Sequence, residues 1–479
     1  MHIKSILSPL IGVSILATPL AQAAPGKKKN SPKKTTQQKT TVTTDFPSQY
    51  EADYQKFIAK LRELTQQNSF DLSLALFIIF DATGDEFSIE QWMQRAANEG
   101  EPAAMLFIAL KHLTNVPEER YRAQETLTAV TQLKKASDRK YVPAIVAYSK
   151  CLNEGIGTSK NEAAAEKLLM QACSSGSFEP RFEWLLMTGR LEKYEDLQRP
   201  EVKAEIERGN HHISHHMSLN APNDAALIKL LVQAAEKGNQ YALFELSELY
   251  RNMDLAKSYK LLALAVKARN PDALYRMGMY MIDPPVKLEI NVGAVKDVET
   301  GVKMLKMATI LGQNEARMQL AQMYLNGKYG QPKDVHKAYR HISTGAVLSG
   351  NPLLLAAQGF MMLEGTGTKQ DMNNGLKLIQ AAASRKYAHA KALLGYAHYR
   401  GLGVEKNINN AIMHLEDATT LNDPFAFIYL ALLYDEEKQP EKSQYYLNHA
   451  ERVMPDKATI IFNFYKQNYK GWHMTPFPL

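Results

Sequence analysis

Small and apolar residues recur through most of this chain in one repeating frame. In its clearest copy Lys386 heads a turn, Ala390 follows four residues later, and then come Leu394, Gly395, His398 and the turn Gly401-Leu402-Gly403. Asn407 opens a second run, with Ala411 four residues on and Ala418 seven after that; at Asn422 the frame begins again. Spacings of four and seven put these residues on one helical face. The frame therefore predicts two antiparallel helices, A and B, joined by a glycine turn.

The same frame fits with heads at Gly100, Lys140, Gly176, Gly238, Arg269, Gly312, Gly350, Lys386 and Asn422, and in degenerate form at Met454. The fourth residue before the head is alanine in all ten copies, and the fourth after it in all but two, where Pro180 and Leu354 stand. Alanine kept in phase over so long a stretch implies stacked helical repeats with close helix contacts. Asn161, Asn223, Asp297, Asp334, Asp371 and Asn407 each precede by four the first small or apolar residue of a helix B. Their side chains can accept the free N–H groups there, each cap contributing about 1 kcal/mol.

Two steps are long. That from 176 to 238 reads as one repeat plus about 26 extra residues, with a helix predicted over RPEVKAEIERG (199–209). After it come His211, His212, His215 and His216. A helix would pair them at i, i+4 as metal ligation requires, but their Gly-Asn and Ser-Leu-Asn flanks predict a polar loop, so no metal site is assigned. The step from 269 to 312 lengthens a turn with MIDPPVKLEINVG, read as a loop, Pro284-Pro285 ending helix A. Residues 49–88 read as cap helices over EADYQKFIAKLRELTQQ and DLSLALFIIF, the end repeats of a stack needing a cover for their outer face.

NEGIGTSKNEAAAEKLLMQACSSG, LAQMYLNGKYGQPKDVHKAY, EGTGTKQDMNNGLKLIQAAASRK and RGLGVEKNINNAIMHLEDA resemble the Sel-one-like repeat (SLR), a cousin of the tetratricopeptide repeat; Leu320, Tyr324, Gly327, Asp334 and Ala338 take their family places. The resemblance covers about 89–470. It implies an all-α fold, a right-handed α-solenoid of nine to ten stacked antiparallel helix pairs, and a family made mostly of scaffolds and adaptors. On that architecture helix A lines the inner surface. The slots ten after the heads then offer Met279, Phe360, Tyr396 and Leu432 as candidate protein-binding residues, the last three as an apolar strip.

Residues 1–23 have the form of an export signal: Lys4, the apolar core Ile6–Leu20, and Ala21-Gln22-Ala23 for cleavage near Ala23. The core is too short for a transmembrane span. Residues 24–48 are a basic, Thr/Lys/Gln-rich linker expected to be disordered. The chain has 57 basic and 50 acidic residues. Seven of the basic ones and none of the acidic ones lie in 1–44, so the repeats are balanced at 50 against 50. That argues against a nucleic-acid-binding face.

Cys151 and Cys173 fall at unequal depths of one predicted hairpin, about 12 Å apart along the axis, too far for a disulfide. The Gly-x-Gly turns recur with the repeat and follow no strand, unlike nucleotide-binding loops. No catalytic constellation is evident beyond Ser137-x-x-Lys140, a partial match to a penicillin-recognising motif whose Lys-Thr-Gly partner is absent. The sequence therefore predicts a periplasmic or secreted, monomeric, non-catalytic scaffold without cofactor, holding a protein or peptide partner such as a cell-wall enzyme. The alternative, implied by cysteine-rich relatives, is a cell-wall hydrolase or β-lactam-interacting enzyme.

Overall fold

The computed structural model describes residues 48–83, 88–113, 123–455 and 457–467, where all regular structure is helical. The export signal and, apart from Ser48, the basic linker lie outside these residues. Two compact units are distinguished, 1–210 and 211–479. The first contains α1 (Glu51–Gln66), α2 (Ser73–Thr83), α3 (Ser88–Asn98), α4 (Pro102–Leu113), α5 (Gln124–Asp138), α6 (Val142–Glu154), α7 (Glu162–Ala172), α8 (Glu179–Met187) and α9 (Pro200–Glu207). Helices α1 to α8 pack in chain order, with α4 also against α6 and α6 against α8.

The second unit contains α10 (His211–Ser218), α11 (Asp224–Glu236), α12 (Gln240–Tyr250), α13 (Leu255–Lys267), α14 (Pro271–Ile282), α15 (Val286–Val292), α16 (Val298–Ile310), α17 (Asn314–Asn326), α18 (Val335–Ser349), α19 (Pro352–Glu364), α20 (Met372–Ser384), α21 (Ala388–Arg400), α22 (Ile408–Thr419), α23 (Pro424–Glu436), α24 (Pro440–Val453) and α25 (Ala458–Gln467). Each hairpin packs on the next, and the A helices α19, α21, α23 and α25 also pack serially on one another. This is the stacking of an α-solenoid. The insertion after Pro284-Pro285 is not a loop as expected: it carries α15, which packs on the preceding helix B, α13.

The frame has a backbone cause. All nine well-formed heads have positive φ, from 58° at Gly350 and Asn422 to 95° at Gly100. In αL the chain leaves helix B, and after seven of these heads the next residue donates its N–H to the carbonyl of the seam alanine, as Asn239 to Ala234 at 3.0 Å, Asn270 to Ala265 at 3.0 Å and Gln313 to Ala308 at 2.9 Å; Ser177 and Asn351 donate instead to the hydroxyls of Ser175 and Ser349. This is a Schellman closure. The same residue then caps helix A, since the side chains of Asn239, Asn270, Gln313, Asn351 and Asp423 accept first-turn N–H groups. Those second caps were not read from the sequence. The six predicted helix-B caps all form. The seam alanines are buried; Ala242, Ala316 and Ala390 have no exposure at all.

Gly209 is a tenth head, with φ 96°. The long step is therefore two repeats, α8–α9 and α10–α11, and not one repeat with an insertion. It escaped the frame because Glu205 and Ile213, both buried, occupy the seam positions elsewhere held by alanine. Glu205 is tolerated there through Arg208 at 3.0 Å and Arg181 at 3.5 Å. Pro180 is accommodated in its copy because it lies in the first turn of α8, where a missing N–H costs nothing.

Within hairpins the closest contact is backbone on backbone. A Cβ at Gly359 would lie 2.5 Å from the Gly375 carbonyl oxygen, and one at Gly375 2.6 Å from that of Gly359. Gly359→Ala should therefore force α19 and α20 apart and cost about 1–3 kcal/mol, as overpacked cores do. Urea denaturation checks this; an unchanged midpoint would mean the hairpin adjusts freely.

Candidate interaction surface

Successive A helices meet by a fixed rule: the residue ten after one head touches the residue seven after the next. Lys150 pairs with Glu183 at 2.7 Å, Glu248 with Arg276 at 3.1 Å, and the Tyr396 and Tyr429 rings lie 4.9 Å apart. The rule corrects one expectation. Phe360, Tyr396 and Leu432 do not form an exposed strip; they are 1%, 4% and 8% exposed and belong to one core cluster. In the last repeats the facing slots carry Leu393, Tyr429 and Ile461, so apolar meets apolar and water is excluded. Met279 differs and stays half-buried.

The contacts between successive A helices are wet in α10, α12, α14 and α17, where residues one to six after the heads take part together with slots seven and ten. His215 Nε2 lies 3.1 Å from Glu245 Oε1, and its ring stacks on Tyr241 at 5.6 Å. Asn239 Nδ2 donates to His211 Nδ1 at 3.1 Å while its Oδ1 caps α12. Glu248 receives Arg276 at 3.1 Å and Arg251 at 3.3 Å. Gln313 Nε2 donates to Glu315 at 2.7 Å and reaches Asp272 at 3.4 Å. Burial first, then the Glu315 charge, pushes the Tyr275 hydroxyl above its usual range. The result is a band of half-exposed imidazoles, phenols, carboxylates and a guanidinium crossing four successive repeats, with Met279 among them.

The histidines thus lie in a helix, contrary to the loop expectation, because Gly209 starts a repeat immediately before them. His211 and His215 both turn toward the next helix A. Among the described residues no group of three or more His, Cys, Asp or Glu side chains is placed to hold a metal ion. Ser137 is buried in the turn that ends α5, its carbonyl accepting from Lys140 N–H at 2.8 Å. Both cysteines are free thiols; Cys151 is buried and Cys173 half-buried. No helix among the described residues is long and apolar enough to cross a membrane.

One carboxyl stands apart. Glu364, at the end of α19, is half-buried with Oε2 unpartnered, and burial raises its pKa to about 8. One repeat later Arg400 occupies the same slot but turns to Glu436, 3.7 Å away.

The Sel1 repeat family model matches residues 90–101, 142–177, 314–346, 354–387 and 388–423. The chitin synthase regulator SKT5 of Saccharomyces cerevisiae is 23% identical over 163 residues, 30% of this chain. The chain spans only 23% of that relative's length. Among solved structures, a Sel1 repeat protein from Oxalobacter formigenes aligns at 19% identity and TM-score 0.39, covering 52% of this chain and 99% of its own. The protective antigen c5321 of uropathogenic Escherichia coli, of SLR fold, aligns at 17% and TM-score 0.33, covering 88% and 99%. The stretch 178–313, which includes most of the wet band, lies outside the matched repeats.

Two predictions arise. Burial pushes the Cys151 thiol up to about 12 and raises that of Cys173 less. A thiol reagent should modify Cys173 in the native protein and Cys151 only on unfolding; two fast native equivalents would contradict the burial. Folded Glu364 keeps its proton up to about pH 8, whereas the unfolded carboxyl releases it near its ordinary 4.5. The folded state therefore binds more protons in that window, and its stability falls as pH rises from about 4.5 to 8. Glu364→Gln should gain about 1–2 kcal/mol over wild type at pH 8 and little at pH 5, allowing for partial exposure. Urea titrations at the two pH values would refute this by giving equal differences.

Proposed function

We propose that this chain is an exported, non-catalytic scaffold that holds another envelope or secreted protein, such as a cell-wall enzyme, against the A-helix face of its second unit. The observation that carries this reading is the change in that face along the stack. The slots seven and ten after the heads, dry and apolar from Phe360 to Leu432, are half-exposed and mixed from Glu245 to Gln322. Packing does not require Glu245 or Arg276 where later repeats carry Ala357, Leu393 and Tyr429, nor Tyr275 where they carry Ala356, Ala392 and Ile428. Tyrosine and arginine bury large area at low entropic cost and dominate protein-recognition surfaces. The Sel1 repeats and the likeness to a regulatory protein support a binding role. Export is supported by the sequence pattern of residues 1–23.

A photocrosslinking residue at Tyr241 or Tyr275, in cells carrying the full chain, should trap one partner, identified by mass spectrometry. The same residue at Leu264, 51% exposed on helix B α13, serves as the comparison. Tyr241→Ala with Tyr275→Ala should weaken capture at least about tenfold, the loss of two modest hot spots, with little change in denaturation midpoint. Equal trapping from Leu264 and the band, or none from the band, would remove this reading. Processing near Ala23 and recovery in the periplasm or medium tests the export step separately.

A further inference from the structure

The helix-B face of the second unit carries its charge in register. Each helix B from α11 to α22 starts on an Asn or Asp, from Asn223 to Asn407, whose side chain accepts the N–H three residues on. That cap fixes the rotation of everything after it. The eighth residue after the cap, from Leu231 in α11 to Leu415 in α22, is at most 3% exposed. Two residues of α-helix turn the chain by about 200°, so the sixth residue points away from the core. It is Lys229, Lys260, Lys303, Arg340 and Lys377 in α11, α13, α16, α18 and α20, and every one is exposed. In α22 it is Met413, 56% exposed, with Glu416 and Asp417 one turn on, and there the basic line ends.

The other outward positions strengthen the line. Two, three, nine, ten and thirteen residues after the same five caps, the charged residues are Lys257, Lys267, Lys306 and Lys337 against Glu236 and Glu299. Two of these ammonium groups are held on rings beneath them: Lys257 lies 3.7 Å from the centre of Tyr250 and Lys337 4.8 Å from that of Tyr324. The cap carboxylates do not cancel the line. They sit about 9 Å back along the helix axis and are engaged by first-turn N–H groups, as Asp254 is by Lys257 and Asp371 by Asn374. Among the described residues Lys229, Lys260 and Lys377 make no ion pair.

We propose that this basic line docks the protein on an anionic lipid surface. Eight of its nine basic residues are lysines. Lysine is a hydrated point charge without the flat fork with which arginine grips a phosphate or carboxylate in one geometry. No Phe, Tyr or Trp stands at the outward positions of these five helices, so nothing there stacks on bases as single-strand binders do. Charge without directed bonding or stacking suits mobile headgroups, which rearrange to meet it, and each lysine brought to such a surface contributes about fivefold to binding. The line lies on the helix-B side and the proposed protein contact on the A helices, so either reading can fail alone.

The test sediments the full chain with phosphatidylcholine vesicles, with and without phosphatidylglycerol. Wild type should sediment only with the acidic vesicles, and less as added salt shortens the screening length. Lys229→Gln with Lys260→Gln and Lys377→Gln should weaken that binding at least about tenfold. Lys328→Gln with Lys333→Gln and Lys369→Gln removes the same charge from exposed positions in the turns that precede helix B, and should change binding less than about twofold. Both variants keep the basic linker, so their difference reads the helix line alone. All six lysines are exposed, and neither variant should shift the denaturation midpoint. No sedimentation with acidic vesicles, or equal losses in the two variants, overturns the proposal. Capture of a soluble polyanion, heparin, in place of the vesicles assigns a polymer ligand and overturns it as well.

Discussion

Where a helix B ends, the chain must reverse within about three residues and begin the next helix A against the one just completed. The left-handed residue at each head makes that reversal possible. In most repeats its neighbour closes the turn onto the carbonyl of the seam alanine, and in several that neighbour's side chain then starts the next helix. Stability, spacing and register all follow from this joint. Where the seam does change, at Glu205 and Ile213, the joint survives with two arginines on the buried acid.

The joint also decides what the A helices can offer to solvent. With successive A helices held this close, the slots seven and ten after the heads face one another across the contact and not outward. Aliphatic and aromatic pairs there seal, as from Phe360 to Leu432. Charged pairs there, such as Glu248 with Arg276, keep water at their edges and leave functional groups accessible, as His215 with Glu245 does one position earlier on its helix. One scaffold can therefore be made inert or receptive by residue choice at a few slots.

Repeat architecture, hairpin order, the six helix-B caps and the burial of the alanines were legible in the chain, because each is local. A helix start needs an acceptor side chain at one position, a reversal needs a residue that tolerates positive φ, and a close approach needs a small side chain. These demands act over a few residues and leave a period. The repeat headed by Gly209 was missed where that period was broken by Glu205 and Ile213. The helix in the insertion at 286–292 was missed because its short sequence has no strong pattern of its own and gains a partner only in α13.

The exposure of particular slots could not be read in the same way. Phe360 and Arg276 occupy neighbouring positions of one inner face, ten and seven after their heads, and look equally free along a single helix. Which of them is sealed depends on what stands at the facing slot of the neighbouring helix A, Leu393 for Phe360 and Glu248 for Arg276, and on how closely the joint holds the two. The sequence by itself determined that helical hairpins form and where each begins. Only the tertiary structure decided which side chains those hairpins spend on each other and which remain for a partner, because burial is a property of facing pairs.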